Sequence, residues 1–559
     1  LDTDKDGMPD VYENALGWNP AVQDHNTALG SSGGLVAGTT YFPAHTPAGY
    51  TPLEEYLHFK ATPHAIVARN TAAQASSITV DLGRYTAGFT RGKSFSVANV
   101  LGGSVSVAGE MATFVPSLNT STRARFDFTV TDSEGNSWTQ IFNLLVSSTG
   151  VPRDLIWSGN GTTNPWDTTS AVWERNGMNL AFASGDHALL DDRGSASPQI
   201  NVPAPVTAGS LTIDSTKNYT IAGAGGISST GPLVKRGPGK LTITTPTSFA
   251  APGSIGSSTL EFAEGAFHSG GSLGLLDGST VTNAFPSGTT FTLAAPLDVP
   301  TGQTSLLNTG NRLALTGALT GGGRLEMNVQ TSVTRFDIKG STGGFGGELA
   351  FSGSGGVRLF HNGGAFDGFG NARVSVEGSV SLQPQTNSGG NTIPLGTLSG
   401  SSPAASLGPA SAGAPTWQIG GLNSNSSFAG SITGNSIVSK VGSGTLTLTG
   451  ALTHTGATIV NGGVLSMDGG LTGSAVTVAS GALLTGTGSF GGPLTVSNGG
   501  KLNPGNANTL YRTLPANGGL NVAGGTLIYD LSSSPAGAND KITVASGATP
   551  QLRGAVKFQ

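Results

Sequence analysis

The sequence contains no cysteine, which removes disulfide frameworks and thiolate metal sites from consideration and suits bacterial secretion. Charge is scarce as well: Lys, Arg, Asp and Glu make up 11% of 559 residues and leave a net charge of −5. A pI near 5.9 argues against nucleic acid as a partner, which asks for a basic patch or stripe. No run of about 18 apolar residues occurs, so no transmembrane helix is expected. The chain opens on Leu-Asp-Thr-Asp-Lys-Asp-Gly, with neither the basic nor the apolar region of a signal peptide. Leu1 sits directly on an acidic motif and Gln559 closes a strand-like GAVKFQ. The expectation is a processed or incomplete polypeptide whose signal and anchor lie outside it.

What the chain does have is glycine, at 88 positions, together with 36% hydrophobic residues. Disordered chains combine low hydrophobicity with high net charge, and this one has neither. A folded protein with a surface made polar by Ser, Thr and Asn fits better. Its length exceeds what one hydrophobic core serves. Stacked β-structure, which uses many turns and many β-branched residues, is the economical solution.

Three segments differ in texture. Residues 1–72 hold the only acidic cluster and the helix signals, around Val11–Leu16 and Leu53–Lys60. Residues 73–149 read as a β-sandwich of the immunoglobulin or cadherin kind. Its strand-like runs are Ser77–Leu82, Ser94–Val100, Ser104–Val107, Met111–Val115, Ala124–Thr131 and Trp138–Val146, and Asp132–Asn136 is a hairpin turn signal. Residues 150–559 are repetitive: short strand, G-x-G turn, short strand, glycine punctuation. The unit stands at Leu233–Thr245, Ala318–Val329 and Ile437–Gly450, with a spacing of about 20 residues that marks a solenoid. Short strands cannot bury an apolar face alone, so each stacks on the next coil; roughly 15 coils between 230 and 559 would give a rod of roughly 70 Å. Leu, Val and Ile would point inward, Thr and Ser outward, and glycine would take the corners with φ > 0.

The pattern K-x-G-x-G-x-L-x-L, present at Lys235–Ile243 and Lys440–Leu448, resembles the autotransporter-associated β-strand repeats of secreted bacterial surface proteins. Leu155–Asp192, with spaced tryptophans, is similar to the segment that opens such arrays. The resemblance covers about 400 residues, is good in the later repeats and loose over 250–430. It implies a long right-handed parallel β-helix on an exported protein, structural or adhesive, and names no ligand. The fold expected is therefore mainly β: a solenoid preceded by a β-sandwich and a small α-helical calcium-binding module.

The strongest local motif is D-x-D-x-D-G-x-x-D-x-x-E over Asp2–Glu13. Calcium takes six to eight oxygens in a flexible cage. Asp2, Asp4 and Asp6 would supply carboxylates, the Met8 carbonyl a backbone oxygen, Glu13 a bidentate pair, and Asp10 an oxygen directly or through water. Gly7 allows the turn. Pro9 removes an N–H that paired EF-hands use, so the loop resembles those of dockerins and thrombospondin type 3 repeats. A half-motif at Gly49–Leu57 looks like the end of a second loop, but Ala44, Thr46 and Ala48 stand where carboxylates would be. We read it as a decayed partner in which Glu55 could donate one oxygen.

Other chemistry-like strings have bland readings. Gly270–Gly274 fits G-x-S-x-G and Gly486–Gly491 fits G-x-G-x-x-G, but neither precedes a helix, which both motifs need. The eight histidines show no H-x-x-x-H spacing. Asp186, Asp191 and Asp192 could bind a cation or pair for acid–base work, and read better as a polar loop. Asp132 and Glu134 read better as a turn than as a calcium site. Trp157, Trp166 and Trp173 could form a sugar-stacking strip, and core packing is preferred. The function expected is a non-catalytic extracellular rod or head-to-tail fibre subunit whose partners are copies of itself or surface glycans. The alternatives are a secreted polysaccharide lyase, which needs acid and base groups that Arg324, Arg335, Lys339 and Arg358 do not visibly complete, and a non-catalytic glycan binder.

Overall fold

A computed structural model describes residues 2–16, 18–27, 51–70, 76–118, 122–147, 152–175, 178–194, 198–276, 278–286, 288–330, 335–360, 367–385, 391–410, 413–505, 511–533, 537–546, 549–555 and 557–558. They form two compact units, 1–158 with 168–188, and 159–167 with 189–559.

The first unit begins with the acidic loop and helix α1 (Asp10–Leu16), and α2 (Pro52–Ala61) comes later in the chain. The start of α2 is written in the sequence. Thr51 and Glu54 form a reciprocal capping box: the Thr51 N–H donates to the Glu54 carboxylate at 2.8 Å and the Glu54 N–H to Thr51 Oγ1 at 3.3 Å. Pro52 occupies the first turn, where a missing N–H does no harm.

Seven strands follow: β1 (His64–Ala68), β2 (Ile78–Asp81), β3 (Ser94–Leu101), β4 (Gly103–Ala108), β5 (Met111–Pro116), β6 (Thr122–Thr131) and β7 (Ser137–Ser147). They make a four-stranded sheet, β1-β7-β6-β3, and a three-stranded sheet, β2-β5-β4. Ile78, Val80, Phe114, Phe126, Phe128, Phe142 and Val146 from both sheets share one buried core, as a sandwich requires. The Asp132–Asn136 turn is held by Asp132, which accepts from the N–H groups of Glu134 and Asn136, both at 2.9 Å. One strand was hidden in the sequence. β1, within the 1–72 segment, joins the sandwich by pairing in parallel with β7, His64 opposite Asn143. Phe142–Ser147 of β7 is buried without alternation because both its faces are covered, one by the sandwich core and the other by the helical segment. Leu145 of β7 packs with Met8, Tyr12 and Phe59, so α1 is built onto the sandwich.

The second unit is a parallel β-solenoid. Its backbone is a 17-stranded ladder that starts at Gln199–Asn201 and ends at Gln551–Arg553. Coils are unequal: the step from Val476 to its partner Leu494 is short, whereas that from Asn521 to Gln551 is much longer. Early coils carry three strands, as in Val206–Ala208, Ser210–Asp214 and Tyr219–Ala222. In the last coils one side shrinks to single bridges, Leu452 to Leu471 to Phe490 to Ala516. The loosely repeating 250–430 region keeps its ladders but stretches, and a register shift lies between Phe369 and Arg373. Along each strand apolar residues face in and polar ones out, as in Leu241-Thr242-Ile243.

The repeat signature departs from that rule at one place. Lys235 and Lys440 are buried, at 0% and 1% exposure, although lysine is almost never inside unless paired. Lys235 Nζ donates to the carbonyls of Arg236 (2.6 Å) and Gly237 (2.9 Å). Lys440 Nζ donates to Val441 (2.6 Å), Gly442 (3.0 Å) and, one coil on, Gly462 (3.2 Å). The lysine thus clamps the carbonyls that its own G-x-G corner turns inward, where no N–H can reach them. The glycines are equally constrained: Gly237 and Gly442 have φ of +71° and +70°, and a Cβ would lie 2.6 Å and 2.1 Å from the backbone of the coil below.

Both catalytic-looking strings are corners. Gly270 (φ +113°) ends a strand and Gly486 (φ +120°) sits on the Met467 carbonyl, and no helix occurs among the described residues of this unit.

Candidate metal centre

The first turns of the acidic loop are tight: Lys5 and Gly7 have φ of +62° and +95°. The turn directs three aspartates inward, so that carboxylate oxygens of Asp2, Asp4 and Asp6 lie within 4.8 Å of one another, and so do those of Asp6, Glu13 and Asp24. Glu13 arrives from α1, whose first turn closes on Pro9 through Tyr12 N–H at 2.8 Å.

Asp2 uses both oxygens on the loop itself, accepting from the N–H groups of Asp6 (3.2 Å) and Gly7 (3.1 Å), and Asp6 Oδ1 accepts from Met8 N–H at 3.0 Å. Six other oxygens are buried without a hydrogen-bond partner: both of Asp4, Oδ2 of Asp6, both of Glu13 and Oδ1 of Asp24. His25 Nδ1 stands 3.9 Å from Asp6 Oδ2. Burial and the mutual repulsion of the carboxylates push the Glu13 carboxyl up to about 8, and raise Asp4 and Asp24 for the same two reasons.

Of the six residues expected from the sequence, Asp2, Asp4, Asp6 and Glu13 converge. Asp10 does not: its two oxygens accept from the N–H and hydroxyl of Thr3, each at 2.7 Å. Met8 buries its side chain in the cluster with Tyr12 and Phe59. Asp24 was missed. It stands past the motif's end at Glu13, in an irregular stretch, and Gln23 beside it donates to the Asp4 carbonyl, which ties that stretch to the loop. The upstream half of the second motif, with Ala44, Thr46 and Ala48, lies outside the described residues; its Glu55 is fully buried in α2.

Hard oxygens from five carboxylates, with no sulfur in the set, are the donors a hard divalent cation takes. Carboxylates left buried and unpaired at neutral pH are otherwise expensive. The residues present therefore fit calcium.

The other candidates are spoken for. Asp186 is gripped by Arg153, with Nη2 at 2.6 Å, and by the N–H groups of Arg153 and Ala183. Asp191 pairs with Arg193 at 2.6 Å, and Asp192 accepts from Ser215 and Thr216. Glu134 pairs with Arg91. Trp157, Trp166 and Trp173 are fully buried, the first and last edge to face at 5.0 Å, which makes them core. Two basic residues expected to stand alone do not: Arg324 pairs with Glu348 and Arg335 with Asp337.

Residues 438–467, which open on the Lys440 clamp, match the family model of the passenger-associated-transport-repeat. That stretch of the solenoid is similar to a passenger-associated-transport-repeat. Over 361 residues, 57% of the chain, the sequence is 26% identical to a curated relative, the "Adhesin BmaC autotransporter" of Brucella suis biovar 1 (strain 1330), and it spans 9% of that protein's length. No solved structure gives a significant match. None of the described helices is long and apolar enough to cross a membrane.

Proposed function

We propose that the chain is a non-catalytic segment of a surface-exposed adhesive passenger, in which the solenoid is the stalk and calcium holds the N-terminal module together. The observation that carries the calcium reading is the set of six partnerless buried oxygens on Asp4, Asp6, Glu13 and Asp24. A bound Ca²⁺ supplies the positive charge that these oxygens lack. It would also fasten α1 to β7, because Glu13 and Tyr12 are neighbours on one helix and Tyr12 packs on Leu145. The non-catalytic reading is supported by the commitment of Asp186, Asp191, Arg324 and Arg335 to ion pairs.

The test is terbium luminescence on the full chain. Trp18 and Tyr12, 5.9 Å apart, lie beside the site and should sensitise a bound lanthanide. Emission that calcium displaces, and that Glu13→Gln abolishes, is the expected result. No displaceable signal at several times about 1 mM, the weak end for extracellular calcium modules, would remove the calcium reading. Head-to-tail stacking of copies would be a further step, since unpaired strand edges template new strands; sedimentation of the calcium-loaded chain as a monomer at high concentration would rule it out.

A further inference from the structure

The solenoid concentrates positive charge on one face. In the ladder through Leu313–Leu315, Arg335–Ile338 and Gly356–Phe360, Leu313 pairs with Phe336 and Asp337 with Arg358. Phe336, Ile338, Val357 and Leu359 are buried inside the coil, so the alternation turns Arg335 and Arg358 to the outer face, with the Asp337 carboxylate fully covered among the cations there. Asp337 is gripped by the Arg335 fork at 2.6 and 2.7 Å and reached by Arg312 Nη2 at 3.4 Å. Lys339 Nζ lies 4.8 Å over the Phe360 ring, and Arg358 Nη1 donates to the Ala410 carbonyl at 3.1 Å.

Ion pairs elsewhere among the described residues of the solenoid are one to one, Lys240 with Glu261 at 2.7 Å and Arg193 with Asp191 at 2.6 Å. Here four cations, Arg312, Arg335, Lys339 and Arg358, surround one carboxylate, an excess of three. The segments 331–334, 361–366 and 386–390 contain no Asp or Glu, so they bring no compensating charge. The flanking positions on the next coil, Ser381 and Gln383, are neutral hydrogen-bonding groups in register with Gly356 and Arg358. Rungs about 4.8 Å apart put these donors in regular rows, in a chain whose net charge is otherwise negative.

We infer that this face binds an anionic polysaccharide, a linear chain bearing carboxylates or sulfates, with Arg312, Lys339 and Arg358 taking the acidic groups and Ser381 and Gln383 the hydroxyls. Asp337 orients the Arg335 and Arg312 forks. The inference deepens the adhesive reading by naming a ligand class, and its test does not depend on where the protein sits in the cell.

The experiment measures binding of the full chain to immobilised heparin and polygalacturonate, with dextran as the neutral control, at rising salt. Retention on either polyanion but not dextran, lost as salt screens it, is expected; which polyanion is preferred distinguishes sulfate from carboxylate. Arg312→Gln with Lys339→Ala leaves the Arg335–Asp337 pair intact and should weaken binding by about tenfold or more, since charge complementarity at the face carries it. Lys501→Ala with Lys541→Ala, an equal charge change in other coils, should not. If the first double variant misfolds, Lys339→Ala alone serves, with a smaller loss. No retention of the native chain at low salt, or an equal loss in the control pair, overturns the proposal.

Discussion

Two regions of the molecule bury charge and do so in opposite ways. In the solenoid, Lys235 and Lys440 sit inside with their ammonium groups donating to backbone carbonyls. In the N-terminal module, six carboxylate oxygens of the half-buried Asp4 and Asp24 and the buried Asp6 and Glu13 are out of solvent without a hydrogen-bond partner. A paired buried charge is part of the fold, whereas an unpaired cluster of one sign asks for a guest. On the calcium reading proposed above, the difference separates a solenoid that pairs its own buried charge from a module that takes a cation to do so.

Calcium removal should set the two regions apart most visibly. In chelator at neutral pH the thermal transition of the module should fall by at least about 10 °C, while the solenoid melts unchanged; saturation at 100 times the dissociation constant is worth about 2.7 kcal/mol by mass action. Calorimetry with and without calcium reads both transitions at once. A module that melts identically in both would equate the regions and end the comparison.

Next in size is the lysine clamp. Lys440→Met keeps the buried stem but strands the carbonyls of Val441, Gly442 and Gly462, and should destabilise the local coils by about 3 kcal/mol. Lys235→Met, which loses two carbonyl contacts, should cost less. Hydrogen exchange of the two neighbourhoods would rank them, and a neutral outcome at both positions would reduce the clamp to packing.

The pH slopes should have opposite signs. Burial lowers His268 and His454 to about 4. Between pH 4 and 6.5 the unfolded solenoid then binds more protons than the folded one, so its stability falls on acidification. Glu13 is raised to about 8. Between pH 4.5 and 8 the folded, calcium-free module holds the extra proton, so its stability rises on acidification. Denaturant midpoints of the two transitions at pH 5 and 7.5, in chelator, check this; slopes of the same sign would refute it.

Much of this fold was legible because it is local. Leu241-Thr242-Ile243 declares an inside and an outside by itself, and Thr51-Pro52-Leu53-Glu54 declares a helix start. What hid were the contacts made across coils or segments. Arg324 and Glu348 meet only because one whole coil separates them and stacks them in register. Coil length varies too much along the ladder, as Val476–Leu494 and Asn521–Gln551 show, for a fixed period to find such pairs. β1 was hidden because its partner β7 is the last strand of the sandwich, with every other strand of that domain between them in the chain. Lys440 was visible as part of a pattern, but its burial was not, since only the turned-in carbonyls explain it.

The smallest effect is also the sharpest test of sequence against structure in the metal site. A contiguous loop motif ranks Asp10 as a ligand and ignores Asp24. The geometry reverses them: Asp10 spends both oxygens on Thr3, and Asp24 contributes a partnerless oxygen within reach of Asp6 and Glu13. Asp24→Asn should therefore weaken calcium binding by about tenfold, the loss of one charged contact. Asp10→Asn keeps an oxygen for one Thr3 bond and should change affinity by no more than about twofold. Titration of both variants decides between motif and fold, and a larger loss in Asp10→Asn would mean that the ion pulls Asp10 off Thr3 and rebuilds the loop around itself.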